Sequence, residues 1–222
     1  LPPKMAQAFE KKFGCLPLEA YGATECSPGI AVNEPHANQP GSIGRLLNQL
    51  EAKVVNPDTG EEQPPGEPGL LKVKGPNVMM GYLGMPDKTA EVLKDGWYNT
   101  GDIVRIDEQG YLWIEGRLSR FSKIGGEMVP HGNVEETLND LADQNEQVFA
   151  VTGLPDEKKG ERLAVVHTAS EEVLEEVLSK LTDATIPNLW KPKRGQFLKV
   201  DKLPYLGTGK IDLKKLQEIA QG

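Results

Sequence analysis

Gly116-Arg117-Leu118-Ser119-Arg120-Phe121-Ser122-Lys123-Ile124-Gly125-Gly126-Glu127 is where the chain changes character. Upstream of it, short apolar segments are separated by turn residues. Leu70 to Lys74 alternates Leu71 and Val73 with Lys72 and Lys74, the period of a half-buried strand. Glu51 to Val55 ends at the turn Asn56-Pro57-Asp58-Thr59-Gly60, and Ile103–Ile106 and Tyr111–Glu115 flank Asp107-Glu108-Gln109-Gly110 as a hairpin. This half reads as a small β-barrel or antiparallel sheet. Lys4–Phe13 reads as a helix with Met5, Phe9 and Phe13 on one face, Leu16–Ala20 as a short strand, and Tyr21–Pro40 as mostly loop. Downstream, helical and strand periods alternate. Ser122–Ile124 and Met128–Val129 flank Gly125-Gly126 as a hairpin. Asn133–Leu141 reads as a helix with Asn133 near its N-cap, and Glu146–Thr152 and Arg162–Thr168 as buried strands. Ser170 caps a helix whose stripe is Val173, Leu174, Val177, Leu178 and Leu181. Gln196–Val200 is a strand, and Asp212 caps a last helix bearing Leu213, Leu216 and Ile219. The order β-β-α-β-β-α-β-α predicts a compact α+β domain. The expected fold class is α+β: a β-rich subdomain over residues 1–118, then an α+β domain over 119–222.

Composition narrows the function. The 222 residues carry 33 acidic and 25 basic side chains, a net charge of −8. That balance argues against general nucleic-acid binding, which wants a basic surface. No apolar run is long enough to span a bilayer, so membrane association would come only through upstream segments, if any. Cys15 and Cys26 cannot build a disulfide framework and suit a reducing compartment, so a cytoplasmic location is expected. The chain opens Leu1-Pro2-Pro3 without an initiator Met or signal peptide, which suggests a piece of a longer protein.

Four segments could carry chemistry. Tyr21-Gly22-Ala23-Thr24-Glu25 is placed just after a strand. An aromatic ring there can stack on a base, a hydroxyl can touch phosphate, and a carboxylate can hold Mg²⁺; a plain loop is the bland reading. Tyr98-Asn99-Thr100-Gly101-Asp102 holds an Asp in a Gly turn, suited to a vicinal diol or to a simple Asx turn. The boundary segment carries three cations, which suits an anionic ligand or a solvated linker. Pro204-Tyr205-Leu206-Gly207-Thr208-Gly209-Lys210 hints at a Walker phosphate loop, but Pro204 and Ile211 occupy positions where that motif needs Gly and Ser or Thr. What remains is Lys210 on a flexible Gly-flanked loop, either solvated or a point charge for a developing anion. His36, His131 and His167 have no metal-ligand spacing and read as structural.

In order and spacing, these segments and the strand segment Gly69–Gly75 together resemble the adenylate-forming superfamily of acyl-CoA synthetases, luciferases and peptide-synthetase adenylation domains. The resemblance runs from about Tyr21 to Leu216. Arg117 to Val129 looks most similar to the synthetase half of bacterial bifunctional 2-acylglycerophosphoethanolamine acyltransferase/acyl-[acyl-carrier-protein] synthetases. The resemblance implies ATP and Mg²⁺ as cofactors, a fatty acid as substrate, and CoA or acyl-carrier-protein phosphopantetheine as thiol acceptor. It places Tyr21 on adenine, with Gly22 in the same loop, Thr24 on the α-phosphate, Glu25 on Mg²⁺, and Asp102 and Arg117 on the ribose. Lys210 bridges carboxylate and α-phosphate, Ser119 is the pivot of a mobile small domain, and Gly125 and Gly126 line the channel for the thiol arm.

The sequence also departs from that pattern. Ser119 stands where many relatives have Asp or Lys, and Leu70 where they often have Glu. The superfamily's Ser/Thr/Gly-rich phosphate loop is missing, as is most of the acyl pocket, so the isolated chain is expected not to form acyl-adenylate. Ligation of an aryl, bile or amino acid is one alternative. Another is a carrier-protein-binding module without catalysis, for which Lys191, Lys193 and Arg194 offer a basic face. A decayed structural domain is the third, against which the retained site residues count.

Overall fold

The computed structural model describes residues 3–144 and 146–222. The chain divides into two compact units, Leu1–Leu118 and Ser119–Gly222. In the first, the helix Pro3–Phe13 keeps its apolar face of Met5, Phe9 and Phe13 exposed. Two antiparallel sheets follow. One orders the strands Ala20–Gly22, Gly29–Val32 and Arg45–Leu46. The other orders Glu51–Val55, Gly69–Lys74, Trp97–Ile106 and Leu93–Lys94, with Leu112–Arg117 also on Trp97–Ile106. Ile43 N donates to Leu112 O at 2.9 Å and Leu112 N to Gly44 O at 2.9 Å, stitching the sheets together. Ile30, Val54, Leu71, Val73, Val104 and Leu112 fill the half-barrel they enclose.

Several sequence expectations shift here. Leu16–Ala20 is not a strand; the strand is Ala20–Gly22, because it is Tyr21 that finds a partner in Ala31. Tyr21–Pro40 is not mostly loop, since Gly29–Val32 is the middle strand of a sheet and buries Ile30 and Ala31. Its Gly and Pro neighbours hide so short a strand. The helix Pro86–Val92 has no buried residue, so no apolar period announces it.

The second unit has the expected element order. Its sheet runs Glu127–Pro130, Phe121–Ile124, Gly160–His167 and Phe149–Asp156, with Phe197–Lys199 parallel to Gly160–His167. The two long central strands are covered on both faces. Phe149, Val151, Leu163 and Val165 pack with the helices His131–Ala142 and Glu171–Thr182. Ala150, Leu154, Ala164 and Val166 pack with Leu216 and Ala220 of Leu213–Gln221. Burial on both faces explains why these strands read as continuous apolar runs. Ser170 Oγ accepts from Val173 N at 3.3 Å and Asp212 Oδ1 from Lys215 N at 3.1 Å, so both caps are made. Each such cap contributes about 1 kcal/mol.

Three starts differ by two residues or more, the strand expected from Arg162 beginning at Gly160. The helix begins at His131, not Asn133, because the preceding strand ends at Pro130 and the chain turns directly into the helix. The strand begins at Phe149, not Glu146; Asn139 Oδ1 accepts from Val148 N at 2.8 Å and Phe149 N at 3.1 Å, a side-chain bond where a ladder would otherwise continue.

Two histidines are buried in this unit. His131 Nε2 lies 2.8 Å from Ser122 Oγ, and His167 packs between the rings of Phe149 and Phe197. Burial, with Arg120 nearby, holds His131 down at about 3, and burial with Lys199 nearby also lowers His167. Both fold as neutral rings. Their stabilisation is therefore complete above the unfolded value of about 6.5 and is lost as pH falls toward the folded values. The unfolding free energy from urea titration should fall between pH 7 and pH 5, by up to roughly 1.4 kcal/mol per pH unit per histidine, and the midpoint with it. A midpoint that stays flat over that range would contradict the burial argument.

Candidate functional site

The strand Trp97–Ile106 carries Asp102, which the sequence suggested lay in a turn before a strand. Gly101 has φ +73°, and the register against Gly69–Lys74 slips between Asn99 and Ile103 around it, so the motif is a strand with an irregularity rather than a free turn. Asn99 Oδ1 accepts from Gly101 N at 3.0 Å, and Thr100 Oγ1 accepts from Asp102 N at 3.1 Å. Thr100 Oγ1 itself donates to Leu71 O at 3.0 Å.

Asp102 is only 4% exposed. An ionised group so placed must be paired. Its Oδ1 lies 2.8 Å from Arg117 Nε, contributed by the cross-strand partner residue on Leu112–Arg117. Its Oδ2 accepts the hydroxyl proton of Tyr21. Burial, then the Asp102 carboxylate, pushes the Tyr21 phenol well above its ordinary range, so it remains a donor. The Arg117 side chain stays 63% exposed, leaving guanidinium edge for a ligand. Three residues distant in sequence thus meet at one carboxylate.

Tyr21 and Gly22 belong to a strand, and Thr24–Cys26 to a 3-10 turn, so this segment is less a loop than its composition implied. Gly22 has a structural reason: an added Cβ would lie 2.1 Å from Pro28 O, the carbonyl that accepts from Ala23 N at 2.8 Å. Thr24 is exposed and Glu25 half-buried. Glu25 Oε1 accepts from Tyr82 OH at 2.6 Å, which is the main cause holding its carboxyl below the usual range. Tyr98 and the Arg117 guanidinium add to that depression, which puts Glu25 in the field of the Asp102 cluster. Sequence reasoning missed Tyr82 and also Asn77, whose Nδ2 donates to Cys26 O and Gly29 O at 2.7 Å each and pins the turn. The Gly81–Gly84 bracket around Tyr82 was the available signal.

An ionised carboxylate fits Mg²⁺, a hard cation commonly held by one or two carboxylates plus phosphate oxygens. Among the described residues no group of three or more His, Cys, Asp or Glu side chains could hold a metal by itself.

The remaining candidates lie in the second unit. Ser119 is its exposed first residue, within the 3-10 turn Leu118–Arg120. Arg120 next to it is tied down, with Nη2 2.5 Å from Glu135 Oε2. Gly125 and Gly126 have φ of +60° and +92° and join paired Ile124 and Glu127, as a two-residue hairpin with both φ positive requires. Lys210 is exposed, but its loop is a closed turn, not a free one: Leu206 N donates to Lys210 O at 2.8 Å and Gly209 N to Leu206 O at 2.9 Å. The basic face of Lys191, Lys193 and Arg194 is largely spent internally. Arg194 pairs with Glu171 and Glu175, and Lys191 Nζ donates to Thr182 O at 2.9 Å.

Residues 1–83 match the AMP-binding enzyme family. The chain is 36% identical over 220 residues to a long-chain-fatty-acid–CoA ligase of Escherichia coli, covering 98% of this chain and 38% of that protein. It is 34% identical to luciferin 4-monooxygenase of Photinus pyralis, over 99% of this chain and 40% of the relative. Among solved structures, ATP-bound MatB from Rhodopseudomonas palustris superposes with a TM-score of 0.78 at 32% identity, over 97% of this chain and 42% of that one. The chain thus spans about two fifths of the length of these relatives. It is an adenylate-forming enzyme segment, related to the acyl-CoA and aryl-CoA ligases.

Replacing Tyr21 by Phe should leave the buried Asp102 carboxylate short of one donor and lower stability by about 1.5–3 kcal/mol in urea unfolding. Gly22→Ala should cost at least about 1 kcal/mol by the same measurement, because the new methyl meets backbone and not a flexible side chain. A Gly22→Ala chain as stable as the parent would refute that steric account.

Proposed function

We propose that this chain is the distal part of an ATP-dependent acid–thiol ligase that works through an acyl-adenylate. The observation that carries the proposal is the meeting of Tyr21, Asp102 and Arg117, set beside relatives whose names include fatty-acid–CoA ligase. With Oδ1 and Oδ2 each engaged once, the Asp102 carboxylate still has lone pairs for the two hydroxyls of a ribose. Arg117 reaches the same sugar, and the Tyr21 ring packs on adenine while its hydroxyl is held by Asp102. Thr24 presents an exposed hydroxyl to the α-phosphate. Glu25 holds Mg²⁺, which supplies charge neutralisation to the phosphates when bound.

In the reaction proposed, a carboxylate oxygen of the acid attacks the α-phosphorus of ATP and pyrophosphate leaves. Negative charge spreads over the phosphoryl oxygens, and the Lys210 ammonium stabilises it as a point charge. A thiol then attacks the acyl carbonyl and AMP leaves. Residues 1–118 form the end of the large domain and 119–222 the mobile small domain, with Ser119 as pivot. Arg120, clamped to Glu135, confines that rotation to the residues before it. Gly125 and Gly126, where an added Cβ would meet nothing within 4 Å, leave room beside their hairpin for a pantetheine arm.

The acid class proposed is a fatty acid, with CoA as acceptor in line with the named relatives. The segment Arg117–Val129 supports the acyl-carrier-protein synthetase branch as the second reading, with carrier-protein phosphopantetheine as acceptor.

In the full-length parent, Lys210→Ala should slow pyrophosphate release at least about 10²-fold while nucleotide binding persists. Asp102→Asn should instead weaken ATP binding. A Lys210→Ala parent with undiminished adenylation would leave the carrier-binding module as the better reading. The isolated chain, without a phosphate loop, should give no pyrophosphate exchange; exchange at the parent's rate would overturn the fragment assignment.

A further inference from the structure

The outer face of the five-stranded sheet in the first unit gathers cations in a protein whose net charge is −8. Lys53 and Lys72 are direct cross-strand partners, and Lys72 in turn partners Asn99. Trp97 lies two residues from Asn99 on the same face, and Lys94 is its cross-strand partner. Lys53 Nζ sits 4.1 Å from the Trp97 ring centre and Lys74 Nζ 5.9 Å from it. A recess of about 320 Å³ opens among Lys53, Lys72, Lys94, Trp97 and Asn99. Glu91 and Asp95, both exposed, also line it. Among the described residues no carboxylate oxygen lies within 4.0 Å of Lys53, Lys72, Lys74 or Lys94.

This arrangement opposes the stability of the sheet. Like charges directly opposite on neighbouring strands repel, and the strands lie only ~4.8 Å apart. Several arginines elsewhere are paired with carboxylates: Arg105 with Glu115, Arg117 with Asp102, Arg120 with Glu135 and Arg194 with Glu171 and Glu175. Among the described residues the lysines around Trp97 have no such ion pair, and they surround a concavity whose nearest acidic groups are Glu91 and Asp95 on its rim and Glu51 opposite Lys74. Ammonium groups are compact point charges that suit phosphate oxygens from several directions. A concave recess suits a compact anion better than the flat surface of a folded protein. The face is also distinct from the Asp102 cluster. Tyr98 and Val73 pair on the core side of the same strands, so Trp97 and Asn99 point the other way.

We propose that this lysine-lined recess around Trp97 is a second anion site, which takes a compact polyanion bearing a phosphoanhydride. The ligand is either free pyrophosphate or the polyphosphate end of a nucleotide. Its oxygens bridge Lys53 and Lys72 and relieve their repulsion, while Trp97 holds the Lys53 ammonium in place. The site does not depend on the ligase reading, because its lysines and Trp97 lie outside the Tyr21–Asp102–Arg117 cluster; Asn99, whose Oδ1 accepts from Gly101 N, borders both.

The test is calorimetric titration of the 222-residue chain with inorganic pyrophosphate, and separately with ATP in an Asp102→Asn background. Saturable binding of either is expected, weakening with added salt. Lys53→Ser/Lys72→Ser should weaken it at least tenfold, while Lys191→Ser/Lys193→Ser should leave it unchanged. Binding of ATP alone would identify the nucleotide end as the source, and binding of pyrophosphate would identify the free anion. Should the double variant not fold, amide shifts in the unmodified chain decide. Pyrophosphate should move residues 53, 72, 97 and 99 and leave 206–210 in place. No saturable binding, binding indifferent to the double variant, or shifts confined to other residues would overturn the proposal. So would displacement of pyrophosphate by an acidic polypeptide of higher affinity, which would make the face a protein-docking surface.

Discussion

A carboxylate with almost no access to water has to be satisfied from within, and Asp102 imposes that demand on the first unit. Left unpaired, it would cost several kcal/mol. Tyr21 and Arg117 meet the demand from two different strands. Tyr21 belongs to the three-stranded sheet and Asp102 to the five-stranded one, so the bond that neutralises a charge also joins two sheets. The same bond orients the phenol ring. The joining of the two sheets and the proposed nucleotide contact therefore rest on one group, and the Thr100 hydroxyl braces it by accepting from the Asp102 amide.

Around this centre the glycines divide into different physical roles. Gly22 is required because Pro28 O comes where a Cβ would be. Gly125 and Gly126 are required by positive φ in a two-residue hairpin and meet nothing within 4 Å. The first is a close approach of backbone to backbone; the second is a turn geometry that happens to leave open space. A ligand contact is compatible with either role and is not needed to explain either.

Charge pairing shows a similar division. Most cations near carboxylates are spent holding the fold, as Arg120 is on Glu135 and Arg194 on the helix Glu171–Thr182. The cluster at Lys191–Arg194 looked like a docking face in sequence because sequence lists charges without their partners. The lysines around Trp97 are scattered over three strands between positions 53 and 94, so no linear scan would group them, yet strand pairing brings them to one face.

Local patterns were enough for much of the architecture. The element order of the second unit, its capped helices at Ser170 and Asp212, and the β-rich character of the first unit follow from apolar period and turn chemistry, which act over a few residues. Motif order was enough to select Tyr21, Glu25, Asp102, Arg117 and Lys210 as candidates. Strand Gly29–Val32 and the bonds of Tyr82 and Asn77 stayed hidden because each depends on partners about 10 to 60 residues away, and helix Pro86–Val92 stayed hidden because it buries no residue and shows no apolar period. Residue type and spacing sufficed where the governing force is local conformational preference. Only the tertiary structure decided which charges are paired, which aromatic hydroxyl serves the buried carboxylate and which lysines stand uncompensated, since electrostatic energy depends on distances that the folded chain alone sets.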